Sequence, residues 1–538
     1  MKKSGLLPLL FGAPFSLSIV WGWQLENFDH LELGDVSYFF YWLVLTFVIS
    51  SFVGLSWKML YKNNRDKVLK EKVRTDMDYS YSDKKSFLLT LMILFICQLP
   101  VLLAEYPGFF CYDAQDEVTQ VLTRSFSTHH PLVHVLLLGG FVALGHKLTG
   151  SYNLGIFSYM ILQMLVIDTI FAYVLTYMRR RGISKKVRVF FTLFLGIFPT
   201  VVMYVLCSCK DGLFSAFLIL TVLFLIQLNE DMETFLKSRK KTAGFVFSAT
   251  AMMLFRHNGF YAFIVAAVFI LILNRKYFKR LGFLFILPVI LYMLLSGGMA
   301  RVLHADSSEN QEILTVPLQQ IARTYNAHPD DFNDMDKMTL NRFLSDEALA
   351  LYTPRVSDLL KSKFDNKAYE DYTADFWKLW LKMGLRYPLS YLNAWFMTSY
   401  GFWYPGAVIN VYQGNTMFTF TYTDSSYFAY EVELPGVRHS LIPAIDSLYR
   451  KLSIEKFQQN IPVISLVFSP AFYFWVYMYF AFYMIYIQRA FLLKPLLLIL
   501  MVWLTVLLGP TYLVRYVVYL WFGLPLLWII GQVRLKKE

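Results

Sequence analysis

Three carboxylates stand close together in Tyr106-Pro-Gly-Phe-Phe-Cys-Tyr-Asp113-Ala-Gln-Asp116-Glu117, and His129-His130-Pro131 follows soon after. A helix over residues 112–122 sets Asp113, Asp116, Glu117 and Gln120 at i, i+3, i+4 and i+7 on one face, with Ala114, Val118, Val121 and Leu122 mostly opposite. Carboxylates in that position have two chemical uses: general base toward a hydroxyl or amine, or ligand for a divalent cation that neutralises phosphate. His129 and His130 add donors for phosphate oxygens, and Pro131 suits the first turn of a following helix. The same spacing also describes the wet face of a helix lying on a membrane. A zinc pair from His130 and His134 has i, i+4 spacing, but His134 sits in an apolar run and no His-Glu-x-x-His pattern exists.

Cations occur at three other breaks between apolar runs: Lys210-Asp211, Arg256-His257-Asn258-Gly259, and Arg515 followed by Tyr516 and Tyr519. Arginine grips phosphate with a bidentate fork and lysine with a point charge, so these residues are candidate anion binders, Arg256 ahead of Arg515. The structural alternatives are tight hairpins built on Gly212 and Gly259, a mutual Lys210–Asp211 ion pair, and an Arg515 that merely snorkels. Gln319, Gln320 and Arg323 are further candidates. Cys97, Cys111, Cys207 and Cys209 are too few for a disulfide framework in 538 residues and read first as packing residues. A bridge from Cys111 to Cys207 or Cys209 stays open, with no choice between them.

The elements that hold these residues follow from composition. Side chains are 57% hydrophobic, 18% aromatic and only 16% charged, which places the chain among polytopic membrane proteins. About 20 apolar residues cross a bilayer core. The net charge of +12 sits in short connectors, at Lys62 to Arg74, Arg179 to Arg188, Lys237 to Lys241, Arg275 to Arg280 and Arg534-Leu-Lys-Lys. Such loops stay cytoplasmic, so the charge is an orientation signal and no nucleic-acid partner is expected. Gln24 to Ser37 carries acids and no Lys or Arg, as expected outside.

Spans near 6–23, 38–60 and 86–104 put residues 105–152 outside, and a crossing near 153–177 ends in Arg179-Arg-Arg. Parity therefore makes Pro131 to Leu148 an external interfacial helix or a re-entrant piece. Further spans near 187–208, 212–228, 243–255, 259–274, 281–299, 462–487, 495–511 and 515–531 bring the total to about twelve, with both termini cytoplasmic. The expected architecture is all-α: a membrane hairpin and basic loop over 1–85, a membrane core over 86–300 with its external loop 105–152, a mainly helical external domain over 301–461, and closing helices over 462–538.

The order of these features resembles the GT-C superfamily of integral membrane glycosyltransferases. Pro107-Gly-Phe-Phe-Cys-Tyr-Asp113-Ala-Gln-Asp116 with His129-His130-Pro131 looks, more narrowly, like a family of uncharacterised bacterial polytopic proteins grouped with them. The resemblance implies inverting transfer of a sugar from a polyprenyl-phosphate donor to a glycan, lipid or protein acceptor at the outer face of a bacterial plasma membrane. Asp113 is the matching catalytic position and Asp116 the second choice; His129, His130, Lys210, Asp211, Arg256, His257 and Arg515 are expected around the donor. A divalent cation, magnesium or manganese, held by Asp113, Asp116 and Glu117 is the metal-linked variant. A flippase of lipid-linked glycans and a non-catalytic envelope scaffold are the competing readings; a flippase predicts inverted repeats and helices broken at midplane.

Overall fold

The computed structural model describes residues 5–70, 79–111, 113–408, 434–452 and 461–532. The basic residues Lys72 and Arg74 and the terminal Arg534-Leu-Lys-Lys lie outside them. Among the described residues the regular structure is helical, and eight helices are long and apolar enough to cross a membrane. The chain is a helical membrane protein.

Helices α1 (Leu6–Phe28), α2 (Val36–Lys70) and α3 (Tyr79–Ala104) come first, followed by two loop helices, α4 (Ala114–Thr123) and α5 (Leu132–Thr149). Next come α6 (Tyr152–Arg180), α7 (Lys185–Ile197), α8 (Pro199–Val205) and α9 (Asp211–Glu230). Pro199 opens α8 because it lacks the N–H that would continue α7, and the pair bends by 60°. A short α10 (Met232–Lys237) leads to α11 (Arg239–Phe255), α12 (His257–Leu273) and α13 (Phe278–Val302). α9 is almost wholly enclosed, whereas α2 and α13 turn most of their apolar side chains outward.

Contacts between helix ends fix which ends lie together. At one end, Arg180 Nε donates to Asp83 at 2.8 Å, joining the foot of α6 to the start of α3. Glu230, closing α9, pairs there with Arg181 and accepts from the Tyr177 hydroxyl at 2.7 Å. At the other end, Tyr106 just past α3 stacks against Phe157 near the start of α6, ring centroids 5.3 Å apart. α3 and α6 are thus antiparallel, and α5, lying between the ends of both, starts and finishes at the same end of that pair. Its 18 residues have the length and apolarity of a span.

A second core lies at the Tyr106 end, built by α14 (Thr315–Ala327), α15 (Asp334–Asn341), α16 (Asp346–Leu349), α17 (Asp358–Lys361), α18 (Asn366–Arg386) and the start of α19 (Pro388–Ser399). It runs from Leu314 to Tyr391, narrower than the expected 301–461: Met397, Tyr400, Phe402 and Tyr404 pack into the main core instead. Residues 434–452, with α20 (Pro443–Arg450), strap onto the exit of α3, His439 N donating to Tyr106 O at 2.9 Å and Leu441 N to Leu103 O at 3.1 Å. Gln320 bonds Trp380 and the Tyr391 backbone, Gln319 bonds Thr353 O, and Arg323 bonds Asp29 O and Tyr352. These three hold the domain together and onto α1.

The chain closes with α21 (Ile464–Phe468), α22 (Pro470–Tyr486), α23 (Leu497–Val506), α24 (Tyr519–Phe522) and α25 (Leu524–Gly531). Leu507, Leu508 and Pro510 offer their carbonyls to Trp395, Thr315 and Ser357 of the domain side. The stretch leading to Arg515 is thereby anchored before it enters the bundle.

Candidate functional site

The site is assembled by a short backbone pairing. Past α3, Gly108 takes φ +128°, a left-handed value open to glycine, and an added Cβ would strike Met160. Phe109 then pairs with Cys207 in an isolated parallel bridge: Phe109 N donates to Leu206 O at 3.1 Å and Ser208 N to Phe109 O at 3.0 Å. The Ser208 hydroxyl accepts from Cys111 N at 3.0 Å. Gly212, the second residue of α9, sits so close to Tyr204 O that a Cβ would lie 2.3 Å from it, so its role is space and not a hairpin turn. The pairing sets Asp113, N-cap of α4, beside Lys210, N-cap of α9.

Asp113 is the hub. Its Oδ2 accepts from Lys210 Nζ at 2.8 Å and from Arg515 Nη1 at 3.2 Å, with His130 Nδ1 3.9 Å away. Lys210 Nζ also lies 2.8 Å from His130 Nδ1 and 3.7 Å from Glu117 Oε1. Asp113 keeps 26% of its side chain exposed, enough for a ligand to reach it; Glu117 keeps 1%. Burial pushes the Asp113 carboxyl up, but Arg515, Lys210 and His130 together hold it well below the usual carboxylate range. Burial likewise opposes the Lys210 ammonium, and Asp113 and Glu117 raise it overall.

The carboxylate stripe expected on α4 is split. Glu117 and Gln120 are buried and Leu122 is largely exposed, so the helix does not simply turn its polar side to water. Asp116 points outward, taking hydrogen bonds from Gln120 and lying 3.3 Å from His130 Nε2. Burial opposes ionisation of Glu117, and His134 and Lys210 outweigh it and lower its pKa.

Behind Glu117 runs a relay whose polarity follows from the donor inventory. Gln163 donates both amide hydrogens, to Val205 O at 2.8 Å and Cys207 O at 2.7 Å. Its oxygen is left for the Tyr159 hydroxyl at 2.8 Å, and the Tyr159 oxygen accepts from His134 Nε2 at 2.8 Å. His134 Nδ1 then faces Glu117 in a short contact, and one proton lies between them. Both ring nitrogens of His134 are engaged, which leaves neither for a zinc shared with His130. Tyr159, Gln163 and Ser208 are the residues the motif reading missed; the signal was there, a tyrosine and a glutamine four apart on one face of α6.

A second lobe adjoins the first. Arg256, the single non-helical residue between α11 and α12, donates to Asp211 Oδ1 at 2.6 Å, so Lys210 and Asp211 each pair elsewhere and not with each other. The Arg256 guanidinium stacks 4.7 Å from the Tyr516 ring and Arg515 lies 5.0 Å from the same ring. Arg515, ranked behind Arg256 on sequence, is the one that reaches Asp113. His257 bonds the Tyr292 hydroxyl at 3.1 Å, toward the edge of the cluster. His129 stacks edge-on against His130, centroids 4.4 Å apart, and burial and that neighbour lower its pKa. Thr128 N donates to Asp306 O at 2.8 Å, pinning the histidine loop to the segment after α13.

A metal was tested against this geometry. Asp113, Glu117 and His130 bring one donor atom each within 4.8 Å of one another. Lys210 Nζ, however, sits among those atoms at hydrogen-bond distance from two of them. An ammonium there excludes a dication by charge and by space, and Asp116 is turned to Gln120. The donor set as arranged does not fit a metal.

Fold and site together define a helical membrane protein with a charged cluster sunk at one end of its bundle, below a small helical domain. The chain belongs to a family of unknown function, DUF6020, whose model matches residues 118–532. His129, His130, Lys210, Asp211, Arg256, His257 and Arg515 fall inside that stretch, while Asp113, Asp116 and Glu117 lie just ahead of it. No curated protein and no solved structure matches the chain.

Proposed function

We propose that the protein is a membrane glycosyltransferase of GT-C type that moves a sugar from a polyprenyl-phosphate donor to a cell-envelope acceptor. One observation carries the reading: a partly exposed carboxylate, Asp113, held by Lys210 and Arg515 at the end of the bundle. Its ion pairs set Asp113, Glu117 and Asp211 against Lys210, Arg515 and Arg256, so an incoming phosphate must take a cation from an acid. When the donor phosphate draws Lys210 and Arg515, Asp113 loses the charges that suppress its basicity. It then accepts the proton of the acceptor hydroxyl as that oxygen attacks the anomeric carbon. The bond from that carbon to the phosphate oxygen breaks, its electron pair stays on the phosphate, and the two cations neutralise the leaving group. Attack opposite the leaving group inverts the anomeric centre.

The membrane reading is that of a multi-pass protein of a bacterial plasma membrane crossing about twelve times, with α5 returning to the face from which it starts. Both termini and the Arg179 end are cytoplasmic; the Asp113 end and the helical domain are outside. A flippase would need polar groups along its route, but α9, the most enclosed helix, has no charged side chain between Asp211 and Glu230.

Purified protein given a polyprenyl-phosphate sugar and a lipid-linked glycan acceptor is expected to release polyprenyl phosphate, and Asp113→Asn to stop that release. Full turnover by both Asp113→Asn and Asp116→Asn would sink the assignment.

A further inference from the structure

Three of the four cysteines converge beside Asp113. Cys111 lies two residues before it; Cys207 and Cys209 flank Ser208 immediately before Lys210. All three are buried. The sequence leaves open which of the pair Cys111 meets, and the parallel bridge decides it: Cys111 Sγ is 3.8 Å from Cys207 Sγ, while Ser208 Oγ clamps Cys111 N from the other side of the strand. The Cys209 thiol also contacts Cys207.

We propose that Cys111 and Cys207 are a disulfide-forming pair that staples the Asp113 loop to the α8–α9 elbow. Sulfur atoms already in contact need to approach by less than 2 Å to reach bonding distance, about 2.05 Å. The bond would close a loop between residues 96 apart in sequence, across the one backbone pairing that juxtaposes Asp113 and Lys210. Burial pushes the Cys207 and Cys209 thiols well above their usual range, so they are poor nucleophiles once packed. Oxidation therefore belongs to folding, before residues 109–111 dock.

The oxidant is a disulfide, carried by a thiol–disulfide oxidoreductase or a small molecule. One cysteine thiolate attacks it to give a mixed disulfide, and the second thiolate displaces the other sulfur. Two protons leave the cysteines and two electrons reduce the donor to thiols. Cys209, in contact with Cys207, is the nearest third thiol for exchange.

The inference rests on the orientation given above in one respect, since only an extracytoplasmic face supplies such an oxidant. The test separates the two. Cells are quenched with acid, denatured in an alkylating reagent without reductant, and the digested protein is mapped by mass spectrometry. The expected result is a reducible Cys111–Cys207 peptide pair, with Cys97 and Cys209 alkylated. If Cys111 and Cys207 are both alkylated, the native disulfide is overturned, and an impermeant maleimide applied to intact cells carrying Ser125→Cys, in the exposed loop before His129, then tells why. Labelling in intact cells would keep the orientation and refute the pairing; labelling only after lysis would refute the orientation. A Cys111–Cys209 pair would also overturn the assignment.

Discussion

The two ends of the bundle use the same ions to opposite effect. At one end Asp83 and Glu230, 7% and 13% exposed, pair with Arg180 and Arg181, whose side chains are 48% and 28% exposed, and each pair joins helix termini. At the other end Asp113, Lys210, Arg515 and His130 crowd together with the cations only 12% exposed. A cation that can turn to its surroundings is not stranded when its carboxylate is removed, whereas an enclosed one is left as an unpaired buried charge. The first arrangement staples and orients, and the second stores charge that a ligand can redirect. Substitutions at the two ends should therefore separate turnover from stability.

The largest effect is expected at the hub. Asp113→Asn keeps the shape and a hydrogen-bond acceptor for Lys210 but removes the base, and release of polyprenyl phosphate should fall by roughly 10²- to 10⁴-fold. It also leaves Lys210 and Arg515 facing a neutral amide, so unfolding in detergent should shift down by a few kcal/mol, about 3 or less because the amide oxygen remains. In the wild type the sign of the pH effect follows from a folded pKa held below the unfolded one. Stability from this carboxylate is present above the unfolded value, about 4, and is lost as pH falls through the lower folded value. Asp113→Asn should abolish that acid-side loss; an unchanged acid limb would place the titrating group elsewhere.

Arg256→Gln sharpens the comparison inside the buried end. Asp211 is 1% exposed and its Oδ2 has no hydrogen-bond partner among the described residues, so removing Arg256 strands a carboxylate in the core. A loss of about 3 kcal/mol is expected from thermal or denaturant unfolding, with turnover reduced less than in Lys210→Met. A greater loss of turnover than in Lys210→Met would make the second lobe the phosphate site.

How far these residues were visible beforehand differs between the lobes. Asp113, His130 and Lys210 were legible because polar residues interrupting apolar runs are expensive there. The partners were not legible. Lys210 beside Asp211 suggested a mutual pair, yet helix α9 points those two side chains apart, toward α4 and α11 respectively. The amphipathic pattern of α4 misled for a related reason: Glu117 is buried because His134 and Lys210, distant in sequence, satisfy it. Periodicity reports polarity and takes no account of a buried partner for a charge. The same blindness hid the Tyr159 and Gln163 relay.

Glu105 stands between the two extremes and gives a subtler test. It is fully buried, paired with Arg438, which also serves Asp446, and its Oε1 has no hydrogen-bond partner among the described residues. Burial outweighs Arg438 and pushes its carboxyl up to about 8. The folded value exceeds the unfolded one, so the folded state binds the proton more tightly, and stability falls as pH rises from about 4.5 toward 8. Glu105→Gln should flatten the melting temperature across that window; a slope as steep as wild type would mean that another group titrates.

The smallest effect is expected at the opposite end. Asp83→Asn removes a carboxylate that Arg180 and Arg179 approach at 2.8 and 4.0 Å from the foot of α6. Both arginines keep about a third or more of their side chains in contact with the surroundings and can turn to solvent or lipid headgroups, so no charge is stranded. The expected cost is below about 1 kcal/mol in unfolding, with turnover of the proposed transfer unchanged and the loss smaller still in high salt. A loss matching that of Arg256→Gln would show that this end also depends on buried charge, and the contrast between the two ends would fail. A null result in stability with a fall in turnover would point instead to a strain transmitted along α3, whose far end carries the chain into Glu105 and the Asp113 loop.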